Sequence, residues 1–292
     1  MSSPISTTKY RGRLAPSPTG LLHVGHAHTF SIAAQRAAEQ AGTLVFRNED
    51  LDRQRCRPEF VEAMYEDLRW LGIEWQEGPD CGGPFRPYAQ SQRREFYLAA
   101  WQALRAAGKI YACTCSRKDL AQSASAPNDA DDEPLYPGTC RALDKSKERK
   151  DPAGVNWRFR VPDGEMVEFY DLHLGKQRFV AGKDFGDFLV WRRDDVPSYQ
   201  LAVVVDDAAM KITEVVRGAD LLKSTARQIL LCRALGYSMP AYYHCDLVRD
   251  EARVRLAKRH DALSIRALRE QGRTPKEVRA AFGRVNAHTP HV

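Results

Sequence analysis

The sequence predicts an α/β protein built on a doubly wound parallel sheet, and three observations predict it. A short apolar pattern at 11–15 reads as a strand and runs into the loop Pro16-Ser-Pro-Thr-Gly20. A helical pattern follows, with Phe30, Ala33, Ala34, Ala37 and Ala38 at three-to-four spacing, and ends near Gly42. Leu44-Val-Phe46 is then a buried-strand pattern between Gly42 and an acidic turn. Strand, loop, helix and strand in that order open a parallel βαβ unit, whose ligands bind at the carboxyl ends of the strands.

The remaining elements follow in chain order. Helical patterns occupy 58–71 and 91–107. Between 115 and 136 the composition shifts to Ala, Ser, Asn, Asp and Glu without periodicity, including Asn128-Asp-Ala-Asp-Asp-Glu133, which predicts a flexible loop. Alternation at 155–161 and 166–170 predicts strands, and the apolar run 199–205, ending in Asp206-Asp207, predicts another where the sheet resumes after an insertion. Helical patterns at 222–235 and 264–282 close the chain, and no internal repeat is visible.

Composition narrows the class of function. The chain has 292 residues, 43% hydrophobic and 28% charged, which suits one large domain or a catalytic domain with a small insertion. Its apolar runs fall far short of the roughly 20 residues that span a bilayer, and its first residues are polar, so a cytoplasmic protein without a membrane partner is expected. The net charge of +6 is concentrated: residues 251–292 hold ten Lys/Arg and four Asp/Glu, leaving the rest neutral. A basic tail on a neutral body points to a polyanionic partner such as nucleic acid or nucleotide phosphates. Seven cysteines are an odd number for a disulfide framework, so close cysteine groups are first tested as metal ligands.

Two constellations carry chemistry. In the first, Arg13-Leu14-Ala15-Pro16-Ser17 leads to His23-Val24-Gly25-His26, where two imidazoles three apart at a helix start share a face. Gly25 between them lets a flat ring approach the backbone, and the N–H groups of the helix end favour phosphate oxygens. In the second, Cys113-Thr-Cys115 with Cys140 offers three corners of a tetrahedral zinc site. The sequence leaves the fourth corner open among Tyr136, Asp131, Asp132, Cys81 and water.

With His23-Val24-Gly25-His26 and four further ordered segments, the sequence resembles the class I aminoacyl-tRNA synthetases, specifically the glutamyl branch. Those segments are Arg47-Asn48-Glu49-Asp50-Leu51-Asp52, the run from Tyr199 to Asp207, Val216-Arg217-Gly218-Ala219-Asp220, and Arg255-Leu256-Ala257-Lys258-Arg259. The resemblance implies a Rossmann-like catalytic core in two halves, 1–110 and 196–250. Between them it implies an insertion at 111–195 with a zinc site, and after them the Lys258 loop and a short helical tail at 251–292. It implies that Arg13, Leu14, Ala15, Pro16, Ser17, Glu49, Tyr199 and Arg217 bind L-glutamate, that His23, Gly25, His26 and Lys258 bind ATP, and that His23, His26 and Lys258 are catalytic. Magnesium is expected with the ATP. Arg255 and Ala257 stand where the family has lysine and serine.

Physically, the fork of Arg13 or Arg217 can clamp a carboxylate, a charge-assisted bond worth about 1.5–3 kcal/mol. Glu49 can hold an ammonium and Tyr199 supplies a hydroxyl and a wall. The glutamyl-queuosine branch has a Cys-x-Cys, Tyr-x-x-x-Cys site matching Cys113, Cys115, Tyr136 and Cys140, so the resemblance selects Tyr136 and implies a structural zinc. The chain ends 34 residues after Lys258, too few for a further domain core, which implies a stand-alone catalytic core. For such a core, expected as a monomer, the resemblance implies activation of glutamate with ATP without tRNA and its transfer to the queuosine base at the wobble position of tRNA(Asp). The alternatives are charging of tRNA(Glu) at its 3′ end, a nucleotidyltransferase on the same fold, and a non-catalytic binding protein.

Overall fold

The computed structural model describes residues 9–115, 135–142, 149–248 and 264–286. Strand β1 (Arg11–Leu14), helix α1 (Val24–Glu39) and strand β2 (Thr43–Phe46) form the expected βαβ unit, with β1 and β2 parallel in the register Arg13↔Val45. Residues flanking β8 (Glu214–Gly218) lie along the other side of β1, where the Thr213 N–H donates to the Arg11 carbonyl at 2.9 Å. Strand β8 runs parallel to β9 (Ala241–Cys245), and β5 (Met166–Asp171) meets β9 in parallel at Asp171↔Tyr242. The carboxyl ends of β1, β2, β8 and β9 thus face one way, which creates the ligand-binding edge of such a sheet.

Antiparallel additions surround this parallel centre. Strand β6 (Gly175–Val180) forms a hairpin with β5, and β3 (Ile110–Cys113), β4 (Asn156–Phe159) and β7 (Phe188–Trp191) make a separate antiparallel sheet. One apolar core packs α1 and α2 (Pro58–Trp70) against β1 and β2, with Leu14, Phe30, Phe46 and Leu68 buried. A second packs α3 (Arg94–Ala106), α4 (Tyr199–Ala209) and α5 (Leu222–Leu235) against the antiparallel sheet, around Trp101, Trp157 and Trp191. No helix among the described residues is long and apolar enough to cross a membrane.

Two sequence expectations are corrected. The run 199–205 is the start of helix α4, not a strand: the Ser198 hydroxyl caps it by accepting from the Leu201 N–H, and every residue from Leu201 to Asp207 is buried. A helix enclosed on all sides has no polar stripe, so its apolar run looks like that of a buried strand. The pattern at 264–282 is two helices, α6 (Ile265–Glu270) and α7 (Pro275–Asn286). Gly272, at φ 77°, turns the chain, and Pro275 starts the next helix at a position where its missing N–H costs nothing. The flexible loop expected around 128–133 lies outside the described residues.

Candidate functional site

A cavity of about 700 Å³ opens at the carboxyl ends of β1 and β8, and Arg13, His23, His26, Glu49, Tyr199 and Arg217 all line it. Ala15, Pro16, Ser17 and Gly25 share its wall. Leu14, by contrast, turns its side chain into the core, and its carbonyl accepts from the Arg47 N–H at 2.8 Å. Lys258, Arg255 and Ala257 lie outside the described residues.

The polar end of the cavity rests on a buried ionic network. Arg47 is fully buried; it donates from Nη2 to Glu49 Oε1 at 2.9 Å and from Nη1 to Asp207 Oδ1 at 2.5 Å, with Asp206 3.8 Å from Nε. Asp206 accepts in turn from Arg93, Gln90 and Tyr97. This fixes Glu49 at the cavity wall. Burial raises the Glu49 pKa above its ordinary value, against the pull of Arg47 and Arg13. A cation placed beside Glu49 would relieve that burial penalty. Arg13 is buried and anchored by an Nη1 bond to the Val216 carbonyl at 2.8 Å.

Arg217 is held on three sides. Its Nε donates to His244 Nε2 at 3.2 Å, its Nη2 to the Thr225 hydroxyl at 2.6 Å, and its Nη1 to the Tyr199 hydroxyl at 3.3 Å. A guanidinium has five N–H groups. The two that remain sit one on each terminal nitrogen, the arrangement that matches the two oxygens of a carboxylate.

The two histidines cap α1. His23 is the N-cap: its Nδ1 accepts from the Gly25 N–H at 3.1 Å and the His26 N–H at 3.4 Å, while His26 Nδ1 accepts from the His23 N–H at 3.3 Å. Accepting at Nδ1 leaves the proton of each neutral ring on Nε2. The rings stack at 3.7 Å, and burial lowers both pKa values, that of His26 to about 3 with His23 adding to the effect. The site is therefore a pair of neutral N–H donors at a helix N-terminus, a setting suited to phosphate oxygens. Gly25 has a nearer reason than a ligand ring: a Cβ there would stand 3.0 Å from His23 Cε1.

The cysteines converge as expected. The Cys113, Cys115 and Cys140 sulfurs all lie within 4.8 Å of one another, with Cys115 and Cys140 at 3.5 Å. The Tyr136 hydroxyl is 3.4 Å from Cys113 Sγ and 3.5 Å from Cys115 Sγ, and it accepts from the Cys140 N–H at 2.8 Å. Sulfurs at about 2.3 Å from a tetrahedral zinc stand roughly 3.8 Å apart, so the donor set fits that ion. The Arg158 guanidinium lies 4.0 Å over the Tyr136 ring, while burial and the hydrogen bonds with the three cysteines push the Tyr136 phenol well above its ordinary value. Burial pushes the Cys115 thiol up to about 11; it also opposes ionisation of Cys140, but hydrogen bonds from Tyr136, Thr114 and Cys115 outweigh it and bring Cys140 down to about 6. Of the other candidates for the fourth corner, Cys81 lies beside Asp80, away from this cluster, and Asp131 and Asp132 lie outside the described residues.

The sequence reading missed the supports behind these residues. Arg47, Asp206 and Asp207 stood inside segments singled out for other members, but Thr225, Asp171 and His244 carried no signal. His244 Nδ1 and Asp171 Oδ2 are 2.6 Å apart across 73 residues of chain, a pairing set by the β5–β9 contact.

Residues 9–290 match the family described as tRNA synthetases class I (E and Q), catalytic domain. A glutamyl-Q tRNA(Asp) synthetase of Symbiobacterium thermophilum is 49% identical over 271 residues, covering 91% of this chain and 83% of that protein. One of Nitratidesulfovibrio vulgaris is 48% identical over 268 residues, covering 90% and 82%. Glutamate--tRNA ligase 2 of Nitrosococcus oceani is 42% identical over 287 residues, which are 97% of this chain and 61% of the ligase. The crystal structure of a glutamate tRNA ligase from Elizabethkingia meningosepticum in complex with its amino acid superimposes with a TM-score of 0.74 at 30% identity. That match covers 91% of this chain and 53% of the ligase, so the chain spans about half of the solved structure's length. The chain therefore belongs to the class I tRNA synthetases for glutamate and glutamine, as their catalytic domain, and is an enzyme of the ligase type.

Proposed function

We propose that this enzyme activates L-glutamate with ATP and transfers it to the queuosine base at the wobble position of tRNA(Asp), in the cytoplasm. The observation that carries the first half is the convergence in one cavity of Arg13, Arg217 and Glu49 with the paired donors of His23 and His26. The second half is supported by greater identity to two proteins named glutamyl-Q tRNA(Asp) synthetase, 49% and 48%, than to a glutamate--tRNA ligase at 42%.

In this reading Arg217 clamps the side-chain carboxylate of glutamate, Glu49 holds its ammonium, and Arg13 orients the α-carboxylate. An α-carboxylate oxygen attacks the α-phosphorus of ATP, the bond to the β-phosphate oxygen breaks, and glutamyl-adenylate and pyrophosphate form. His23 and His26 donate from Nε2 to phosphate oxygens as charge develops there, and Lys258 adds a cation. Magnesium bound with ATP would share the phosphate charge. A hydroxyl of the queuosine diol then attacks the adenylate carbonyl, the bond from that carbon to the phosphate oxygen breaks, AMP leaves, and the hydroxyl proton passes to the departing phosphate or to water. Cys113, Cys115, Tyr136 and Cys140 would hold zinc as a structural ion, with all four positions filled by protein. The antiparallel sheet of β3, β4 and β7 supports reading 111–195 as an insertion between the two halves of the catalytic core.

The test is transfer of labelled glutamate into tRNA prepared with and without queuosine, alongside glutamate-dependent ATP–pyrophosphate exchange without tRNA. Label is expected only in the queuosine-containing preparation. Equal labelling of both would establish charging at the 3′ end instead. Arg217→Ala is expected to lower exchange roughly 100-fold, the loss of a charge-assisted fork, and unchanged exchange would remove the pocket assignment.

A further inference from the structure

We propose that His244, fixed by Asp171, is a positioning residue that holds the Arg217 fork in the orientation that selects a carboxylate over a carboxamide. The inference rests on the reading of Arg217 as the clamp for the glutamate side chain. It adds a specificity element from β5 and β9, neither of which supplies a wall residue to that clamp.

The hydrogen bonds determine the state of His244. Asp171 is fully buried, and its Oδ1 accepts from the N–H groups of His173 and Leu174 at 3.0 and 2.8 Å. Its Oδ2 accepts from the His244 backbone N–H at 3.1 Å and faces His244 Nδ1 at 2.6 Å. A carboxylate at that distance only accepts, so the imidazole proton sits on Nδ1 and Nε2 presents a lone pair. The Arg217 Nε–H points at that lone pair from 3.2 Å, and the Thr225 hydroxyl stands 3.0 Å from the same nitrogen. The opposite tautomer would set an N–H against an N–H. Burial and the Arg217 charge hold the His244 pKa down to about 4, which agrees with a neutral ring.

Fixing Nε on His244 has a consequence for the substrate. With Nη2 on Thr225 and Nη1 on Tyr199, the guanidinium keeps one N–H on each terminal nitrogen, and both are donors. A carboxylate satisfies both. A carboxamide offers one acceptor and one NH2, leaving a buried donor facing a donor, the kind of mismatch that yields strong discrimination. If Arg217 could rotate, a single N–H would suffice for the amide oxygen and the discrimination would fall.

The experiment measures glutamate-dependent ATP–pyrophosphate exchange by the full chain and its His244→Leu, His244→Gln and Asp171→Asn variants, with L-glutamine as competitor. His244→Leu is expected to raise the glutamate KM roughly 10- to 100-fold, the loss of one hydrogen bond to a charged group. Asp171→Asn is expected to raise it in the same direction, because an amide at 171 donates to Nδ1 and drives the proton to Nε2. His244→Gln keeps an acceptor and is expected to restore most of the affinity. In all three the ATP KM and the kcat at saturating glutamate stay near the wild-type values, while glutamine competes better relative to glutamate in His244→Leu and Asp171→Asn. An unchanged glutamate KM in Asp171→Asn overturns the proposal even if His244→Leu fails to fold. Parallel rises in both KM values without recovery in His244→Gln overturn it too. Absence of glutamate-dependent exchange in the wild-type chain is a different result, which refutes the underlying activity.

Discussion

The ligand cavity and the thiol cluster are held by different means. Around the cavity, Arg47, Asp206 and Asp207 pair across 160 residues of chain between two large apolar cores, and the carboxylates of Glu49, Asp206 and Asp207 each have Arg47 as a cationic partner without any ligand. Around the cysteines, the buried apolar group among the described residues is Tyr111, Cys113, Tyr136 and Cys140, with Cys115 at its edge. Three thiols and a phenol this close offer many donors and little fixed charge, so their arrangement gains most from a cation, as metal binding and local folding are one free energy. The cavity is preorganised by protein alone; the thiol cluster presents donors that an ion would complete.

The largest effect should come from breaking the ionic network. Arg47→Leu leaves Glu49, Asp206 and Asp207 buried without their shared cation, and removal of one partner from a buried pair costs about 3–5 kcal/mol. Urea denaturation is expected to show that loss, and a change below about 1 kcal/mol would mean that Arg93 and Gln90 suffice for these carboxylates.

A smaller and more local effect is expected at the cysteines. The wild-type chain should carry about one zinc per molecule, the content of a single tetrahedral site, and a chelator should lower its melting temperature. Cys115→Ser should lose the metal and the chelator response while keeping most of the glutamate-dependent exchange. Loss of exchange in parallel with the metal would join the two regions and undo the contrast between them.

The smallest effect concerns a carboxylate that neither region stabilises well. Asp67 is fully buried on α2, neither oxygen has a hydrogen bond among the described residues, and Arg269 of α6 is 3.6 Å away. Burial raises its pKa to about 6, against the pull of Arg269 and Arg266. A pKa raised in the folded state gives a stabilisation that is complete below the unfolded value and lost as pH rises through the folded one. Wild type should therefore lose roughly 1–3 kcal/mol relative to Asp67→Asn between about pH 4 and 6. Parallel melting profiles for the two proteins across that interval would show that Arg269 neutralises the group.

Elements bounded by strong punctuation were legible in the sequence. Pro58 begins α2, and Gly236, in the left-handed region at φ 70°, ends α5 at Leu235. The run 201–205 was not legible as a helix, because burial on every face erased the period that separates helix from strand. At the site, Arg13, Glu49, Tyr199 and Arg217 stood out through motif order, as did the cysteine spacing. Asp171 and His244 did not, since an imidazole between Tyr243 and Cys245 and a carboxylate 73 residues earlier share no local pattern.

By itself the sequence determined the βαβ opening, the capping pair His23 and His26, and the cysteine spacing, because each depends on residues a few positions apart whose geometry the local backbone dictates. Tertiary structure alone decided which charges neutralise which, that α4 is a helix, and that Arg217 is aimed by Thr225 and His244. Those outcomes depend on burial and on strand neighbours far apart in the chain, and in a low-dielectric interior the partner at 3 Å, not the neighbour in sequence, sets the energy.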